Sequence, residues 1–170
     1  MEAAAAFLAV RPRSVAETRR RLRHLGYPEE LTDQVVERLA EMGYLDDEAF
    51  ARAWVENRDR ARPRGEAALR RELALKGVDR GVVDQLLAER ADVTRTAAPE
   101  ASAAPSVDMA AARRLLERRA AAFAREPDPR KRRQRAYALL ARNGFDPEVC
   151  REAAAGIEVP AGEDAGQDDG

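Results

Sequence analysis

The sequence predicts an all-α protein of about nine helices in three tandem three-helix repeats. Three observations carry that prediction. The first is composition: 45% of the 170 residues are hydrophobic, only 5% are aromatic and 36% are charged, a balance that suits amphipathic helices around thin cores better than sheets. The second is punctuation. Gly26-Tyr27, Gly43-Tyr44, Gly77-Val78 and Gly144-Phe145 each pair a glycine able to adopt positive φ with an apolar residue able to pack back on the helix it ends. The third is spacing. The glycines that end the middle helices, Gly26, Gly77 and Gly144, recur at intervals of 51 and 67 residues, and the longer interval contains a Thr, Ala, Pro and Ser stretch. The alternative is a single irregular bundle that happens to use glycine caps.

A first helix runs from about Glu2 to Val10 with Phe7 and Leu8, and Pro12 stops it. Ser14 and Glu17 form a capping box for the second, whose apolar positions are Val15, Leu22 and Leu25 among Arg19, Arg20, Arg21 and Arg23, with Gly26 at its end. Pro28 suits the first turn of a third helix, where Leu31, Val35, Leu39 and Met42 form a stripe that Gly43 closes. The stretch Gly43 to Trp54 then changes helices within four residues. Gly43 ends one, Tyr44 and Leu45 fold back over its last turn, and Asp46 caps the next. Asp47 and Glu48 place negative charge on its first turn, and Phe50 and Trp54 share a face that must be buried.

The pattern recurs twice. The helix from Asp46 to about Arg60 is followed by one with Leu69 and Leu73 ending at Gly77, and by one with Val82, Val83, Leu86 and Leu87. A third set carries Met109, Ala112, Leu115, Leu116 and Phe123, then Ala136, Tyr137 and Leu140 behind an Asp128-Pro129 start, then Val149, Cys150 and Ala153. The expected units are therefore 1–44, 45–91 and 108–155, with a flexible linker over 92–107 and a disordered acidic tail over 156–170.

Several function classes are discouraged. Consecutive Asp46, Asp47 and Glu48 point about 100° apart on a helix and cannot converge on one ion, so they read as capping and not as metal ligands. The single histidine, His24, and single cysteine, Cys150, offer no metal cluster, nucleophilic pair or intrachain disulfide. No phosphate-cradling or dinucleotide glycine motif occurs, so no cofactor and no catalysis are expected. No apolar run approaches a membrane span, which gives the expectation of a soluble, cytoplasmic protein.

The net charge of −1 leaves any anionic partner to local basic patches. One is Arg58, Arg60, Arg62 and Arg64, alternating through a segment that Pro63 and Gly65 keep from being regular, with Arg70, Arg71 and Lys76 on the next helix. Another is Arg130, Lys131, Arg132, Arg133 and Arg135; from Asp108 to Arg135 ten basic residues face four acidic ones. For any single arginine a solvated face is the simpler explanation; as groups they suit phosphate or carboxylate. The helix pair around Gly26 and Pro28 imitates a helix-turn-helix, but its second helix carries Glu29, Glu30, Asp33, Glu37 and Glu41 where DNA would lie.

The Ser14-capped helix ending in Gly26-Tyr27-Pro28, the run GYLDDEAFARAWVENR from Gly43 to Arg58, Gly65, and the segment Glu72 to Val78 together resemble the RecX family of regulatory proteins. The likeness is good from about Phe7 to Leu87 and fair from Leu115 to Ala155; the 92–107 insertion and short last helix depart from it. The resemblance implies an elongated, curved rod of three units lying in the groove of a RecA filament on DNA. It implies no enzyme, but a cytoplasmic, monomeric regulator of homologous recombination, DNA repair and the SOS response that inhibits RecA's recombinase, ATPase and coprotease activities. Single- or double-stranded DNA would be met directly or through RecA. Contact residues on this reading are Arg58, Arg62, Arg64, Arg70, Lys76, Arg132 and Arg133, and the structural residues of the family pattern are Gly43, Tyr44, Leu45, Asp46, Asp47, Phe50, Gly65 and Gly77. The competing class is a helical DNA-binding module or repressor that acts without touching RecA.

Overall fold

The computed structural model describes residues 2–96 and 105–157, and every regular element among them is an α-helix. Unit one is α1 (Glu2–Val10), α2 (Val15–His24) and α3 (Glu29–Glu41); unit two is α4 (Asp47–Ala61), α5 (Glu66–Lys76) and α6 (Arg80–Thr96). Unit three is α7 (Val107–Glu117), α8 (Ala120–Ala124), α9 (Pro129–Arg142) and α10 (Pro147–Ala155). The tenth helix corrects the expected nine. The first helix of unit three breaks after Glu117, where the Arg119 N–H turns back to the Leu116 carbonyl, and the bend lets Phe123 reach the core while α8 packs on α9. A second difference lies in α6, which continues through Asp92 to Thr96 where the linker was expected to begin. No Gly or Pro occurs from Asp92 to Thr96, so nothing local stops the helix. At the linker's other end Val107 already begins α7, and Ile157, expected in the tail, packs on the core of unit three; residues 97–104 and 158–170 lie outside the described residues.

Each unit has its own core. Leu22, Val35, Val36, Leu39 and Leu45 form the first, Phe50, Val55, Leu69, Leu73, Val83 and Leu87 the second, and Met109, Leu116, Phe123, Leu140, Phe145 and Cys150 the third. Three separate seams describe a repeat array and not one bundle.

The punctuation holds, with corrections at its apolar partners. Gly26, Gly43, Gly77 and Gly144 all have positive φ, and Leu45, Val78 and Phe145 are buried behind three of them. Tyr27 and Tyr44 are not; they stand 41% and 63% exposed. On α3 the buried stripe is Thr32, Val35, Val36 and Leu39, leaving Leu31 and Met42 outside. Of the two residues expected to fold back over the last turn of α3, Leu45 is buried and Tyr44 is not. Phe50 is buried, but Trp54 is only partly so, since cations cover its outer side.

The units meet through two junctions built to one plan. At the first, the Val15 N–H at the start of α2 donates to Asp47 Oδ1 (2.9 Å), the Ser14 hydroxyl donates to the Lys76 carbonyl (2.6 Å), and Gly77 lies against Ala16. At the second, the Glu66 N–H at the start of α5 donates to Asp108 Oδ2 (3.0 Å), the Gly65 N–H donates to the Asn143 carbonyl (3.1 Å), and Gly144 lies against Ala68. The middle helices α5 and α9 thus bring their C-terminal carbonyls to the N-termini of α2 and α5, an arrangement their dipoles favour. The glycines are required by proximity. A Cβ on Gly77 would stand 2.3 Å from Ala16 Cβ, and one on Gly65 would stand 2.2 Å from the Gly144 carbonyl oxygen.

The start of α9 differs from those of α2 and α5: Pro129 supplies no N–H where Val15 and Glu66 do, and Arg130 stands where α2 has Ala16 and α5 has Ala67.

Candidate partner-binding surface

The first basic cluster is organised by one carboxylate. Glu72, on α5, receives Arg58 Nε at 2.6 Å and the Trp54 indole N–H at 2.8 Å on Oε2, while Arg64 Nε lies 3.4 Å from Oε1. Arg58 and Lys76 cover the Trp54 ring, 4.6 and 4.9 Å from its centroid. Lys76 also pairs with Glu17 of unit one at 2.7 Å, Arg64 donates to the Asn143 side chain of unit three, and Arg70 pairs with Glu66 and Asp84. Of the five sequence-predicted contacts in this cluster, Arg58, Arg64, Arg70 and Lys76 are therefore engaged within the chain. Arg62 caps the end of α4 and is exposed; with exposed Arg60 and Arg71 it forms no ion pair among the described residues. Arg60 on the last turn of α4, Arg62 just beyond it and Arg71 on α5 are thus the outward-facing cations of this cluster.

In unit three the predicted pair divides. Arg133 is exposed, as are Arg130 and Lys131, whereas Arg132 is buried at 5% exposure. Arg135 pairs with Glu126 at 2.7 Å. Of the family-pattern residues, Asp46 caps α4 by accepting from the Glu48 and Ala49 N–H groups, and Asp47, Gly65 and Gly77 build the junctions.

The electrostatics of the junctions follow from these contacts. Partial burial pushes Glu17 up, but the Lys76 ammonium and the Ser14 N–H outweigh it and hold the carboxyl below its ordinary range. Burial raises Asp47, only partly offset by the N–H of Val15. Arg90 is pulled down by burial, yet Asp59 and Asp108, each 2.8 Å away, raise it on balance. Burial raises the Cys150 thiol, which suits a core residue.

Sequence reasoning missed the Asp59, Arg90 and Asp108 triad and the Arg118 side chain, which donates to the carbonyls of Arg60 and Ala61 across the second junction. Neither leaves a local signal, because the partners are 18 to 58 residues apart. An exposed apolar set on unit one, Val10, Leu25, Tyr27, Leu31, Met42 and Tyr44, was likewise read as core or turn.

Among the described residues no group of His, Cys, Asp and Glu is placed to hold a metal ion, and no helix is long and apolar enough to cross a membrane. The fold and surface define a tandem helical-repeat protein whose chemistry is exposed charge on linked units. Family models for the first, second and third three-helix domains of RecX match residues 1–39, 46–87 and 106–154, and the chain belongs to the RecX family. It is 35% identical over 134 residues to the regulatory protein RecX of Thermobifida fusca, covering 79% of this chain and 65% of that one. It is likewise 35% identical over 138 residues to that of Streptomyces coelicolor, covering 79% and 64%, and 43% identical over 82 residues to that of Mycolicibacterium smegmatis, covering 48% and 44%. The chain thus spans less than two thirds of the length of these curated relatives. Among solved structures, RecX from Lactobacillus salivarius shares the fold at TM-score 0.71 and 18% identity, with 91% of each chain covered. A further structure of regulatory protein RecX does so at 0.67 and 21%, covering 87% of this chain and 68% of that one. These relatives are named as regulatory proteins, not as enzymes.

Proposed function

We propose that this protein binds the RecA filament on DNA and restrains its ATPase, recombinase and coprotease activities, acting as a cytoplasmic monomer without catalysis of its own. The observation that carries the reading is the family membership, domain by domain and in order, of an array whose second and third units turn outward arginines that form no ion pair among the described residues. Arg60, Arg62 and Arg71 on unit two and Arg130, Lys131 and Arg133 on unit three are accessible to an acidic protein groove or to DNA phosphate. Arg64 and Lys76 contribute by joining unit two to its neighbours, and Arg58 and Arg70 by bracing unit two itself, because their charges are already engaged inside the chain. The proposed contact set is thus narrowed to Arg62 and Arg133 with their exposed neighbours.

The test is RecA ATP hydrolysis on single-stranded DNA with this protein titrated in. Turnover is expected to fall with dose, and Arg60→Glu, Arg62→Glu and Arg71→Glu combined to raise the required dose at least tenfold and flatten its salt dependence. An undiminished effect in that triple variant would remove the surface assignment. A protein that binds bare duplex tightly but does not co-sediment with RecA filaments would be the DNA-binding module instead.

A further inference from the structure

Unit three contains a cavity of about 730 Å³ between α7, α8, α9 and α10. Its lining is mostly apolar, with Leu116, Phe123, Ala153 and Ile157 among it, and also carries Glu117 and a pair of opposite charges, Arg113 and Glu152, 3.8 Å apart. One wall is out of character. Arg132 lines the cavity while 95% buried; among the described residues its Nε has no hydrogen-bond partner, and its guanidinium makes one long 3.4 Å bond, from Nη2 to the Pro127 carbonyl. No carboxylate of the described residues pairs with it; the buried acid of the unit, Glu126, is taken by Arg135.

A buried guanidinium without a counter-ion is costly, and here the cost is doubled by position. Arg132 lies in the first turn of a 14-residue helix, where the backbone dipole already presents positive charge. An anion in the cavity relieves both at once. The apolar walls then require that the anion be carried on an apolar body, and the volume is that of an ordinary ligand site.

We propose that this cavity is a binding site for a carboxylate flanked by apolar side chains, supplied by an acidic, aliphatic segment of the protein partner. Arg132 makes the charged contact and Phe123 and Leu116 the apolar one. The exposed Arg130, Lys131 and Arg133 beside it favour an acidic partner over a free aliphatic acid. The inference rests on the reading of this chain as a protein-binding regulator, but its test does not use RecA, so the two fail separately.

The probe is the peptide acetyl-Leu-Glu-Leu-Leu-amide against its Gln counterpart, followed in the full chain through the Arg132 Nε–H and Phe123 ring resonances. The Glu peptide is expected to bind at least tenfold more tightly and to shift both resonances. Arg132→Met should abolish that preference while melting at or above the temperature of the unaltered protein, because it removes an unpaired buried charge; Arg132→Lys should keep part of the preference. Equal binding of the two peptides overturns the proposal, as does an Arg132→Met protein that melts several degrees lower, which would make Arg132 a structural residue. If the Glu peptide binds only after Glu158, Glu163, Asp164, Asp168 and Asp169 are replaced by their amides, the cavity serves the chain's own acids and the partner assignment falls.

Discussion

The two junctions share one plan and differ in how closely they press it. At the first, the residue at the helix start is Ser14, which reaches the opposing carbonyl with its hydroxyl. At the second it is Gly65, which reaches with its own backbone N–H and so brings two backbones together with no side chain between them. The second junction also carries the Asp59, Arg90 and Asp108 triad and the Arg118 bonds, whereas the first has the Lys76 and Glu17 pair. Connectivity gives a reason. Five residues separate α3 from α4, but ten separate α6 from α7, and a longer tether costs more to close, so more must be gained from contact.

Breaking the tighter junction should have the larger effect. Gly65→Ala keeps an allowed backbone, φ −75°, yet drives its Cβ into the Gly144 carbonyl. We expect a loss of about 3 kcal/mol, at the upper end for overpacking, measured by urea denaturation. Gly26 is the matching glycine at the free end of α2, with nothing within 4 Å of a would-be Cβ. Gly26→Ala should therefore cost only the strain of its positive φ, about 1 kcal/mol.

The paired aspartates sharpen the contrast. Asp108→Ala removes the acceptor for the Glu66 N–H and one of two counter-charges of the largely buried Arg90; about 2 kcal/mol should be lost, less than for a pair broken outright because Asp59 remains. Asp47→Ala removes only the acceptor for the Val15 N–H, from a carboxyl that burial already disfavours. About 1 kcal/mol is expected there. Denaturation of the two variants side by side reads the difference.

The smallest effect is titration of the first junction. The Glu17 carboxyl is held below its ordinary pKa in the folded chain, so its contribution is complete above the usual glutamate range. It is lost as pH falls through the lowered folded-state value. The reporter is Trp54, the only tryptophan, which lies under the Lys76 ammonium that pairs with Glu17. Its emission change over that acidic window should be smaller in Glu17→Gln than in the unaltered protein.

These contrasts also mark what the sequence made legible. Helix starts and stops were readable because they are local. Ser14 with Glu17, Asp46, and Asp128 before Pro129 all cap as their spacing requires, and the buried seams of units two and three follow the predicted period except at Tyr137, which is exposed, and at Val82 and Val149, which are half-buried. The junctions were hidden in the same letters. Asp47 and Asp108 look like ordinary acids of a first turn, and their use as acceptors for another unit's backbone depends on a docking geometry that no local period encodes. Gly65 looked like a loop breaker. The arginines misled most, since counting them shows charge without its partner. For the arginines expected to meet a partner, Glu66, four residues before Arg70, stood where a helical rule would find it, whereas Glu72 reaches Arg58 from 14 residues away.

The proposed regulation of RecA requires three units held in one fixed array. It is tested most directly by titrating the unaltered protein and Gly65→Ala, side by side, into RecA hydrolysing ATP on single-stranded DNA, with far-ultraviolet circular dichroism establishing that both are equally helical. The unaltered protein should suppress turnover, and Gly65→Ala should need at least tenfold more protein to match it. Equal suppression by the two, or none by either, would contradict the account.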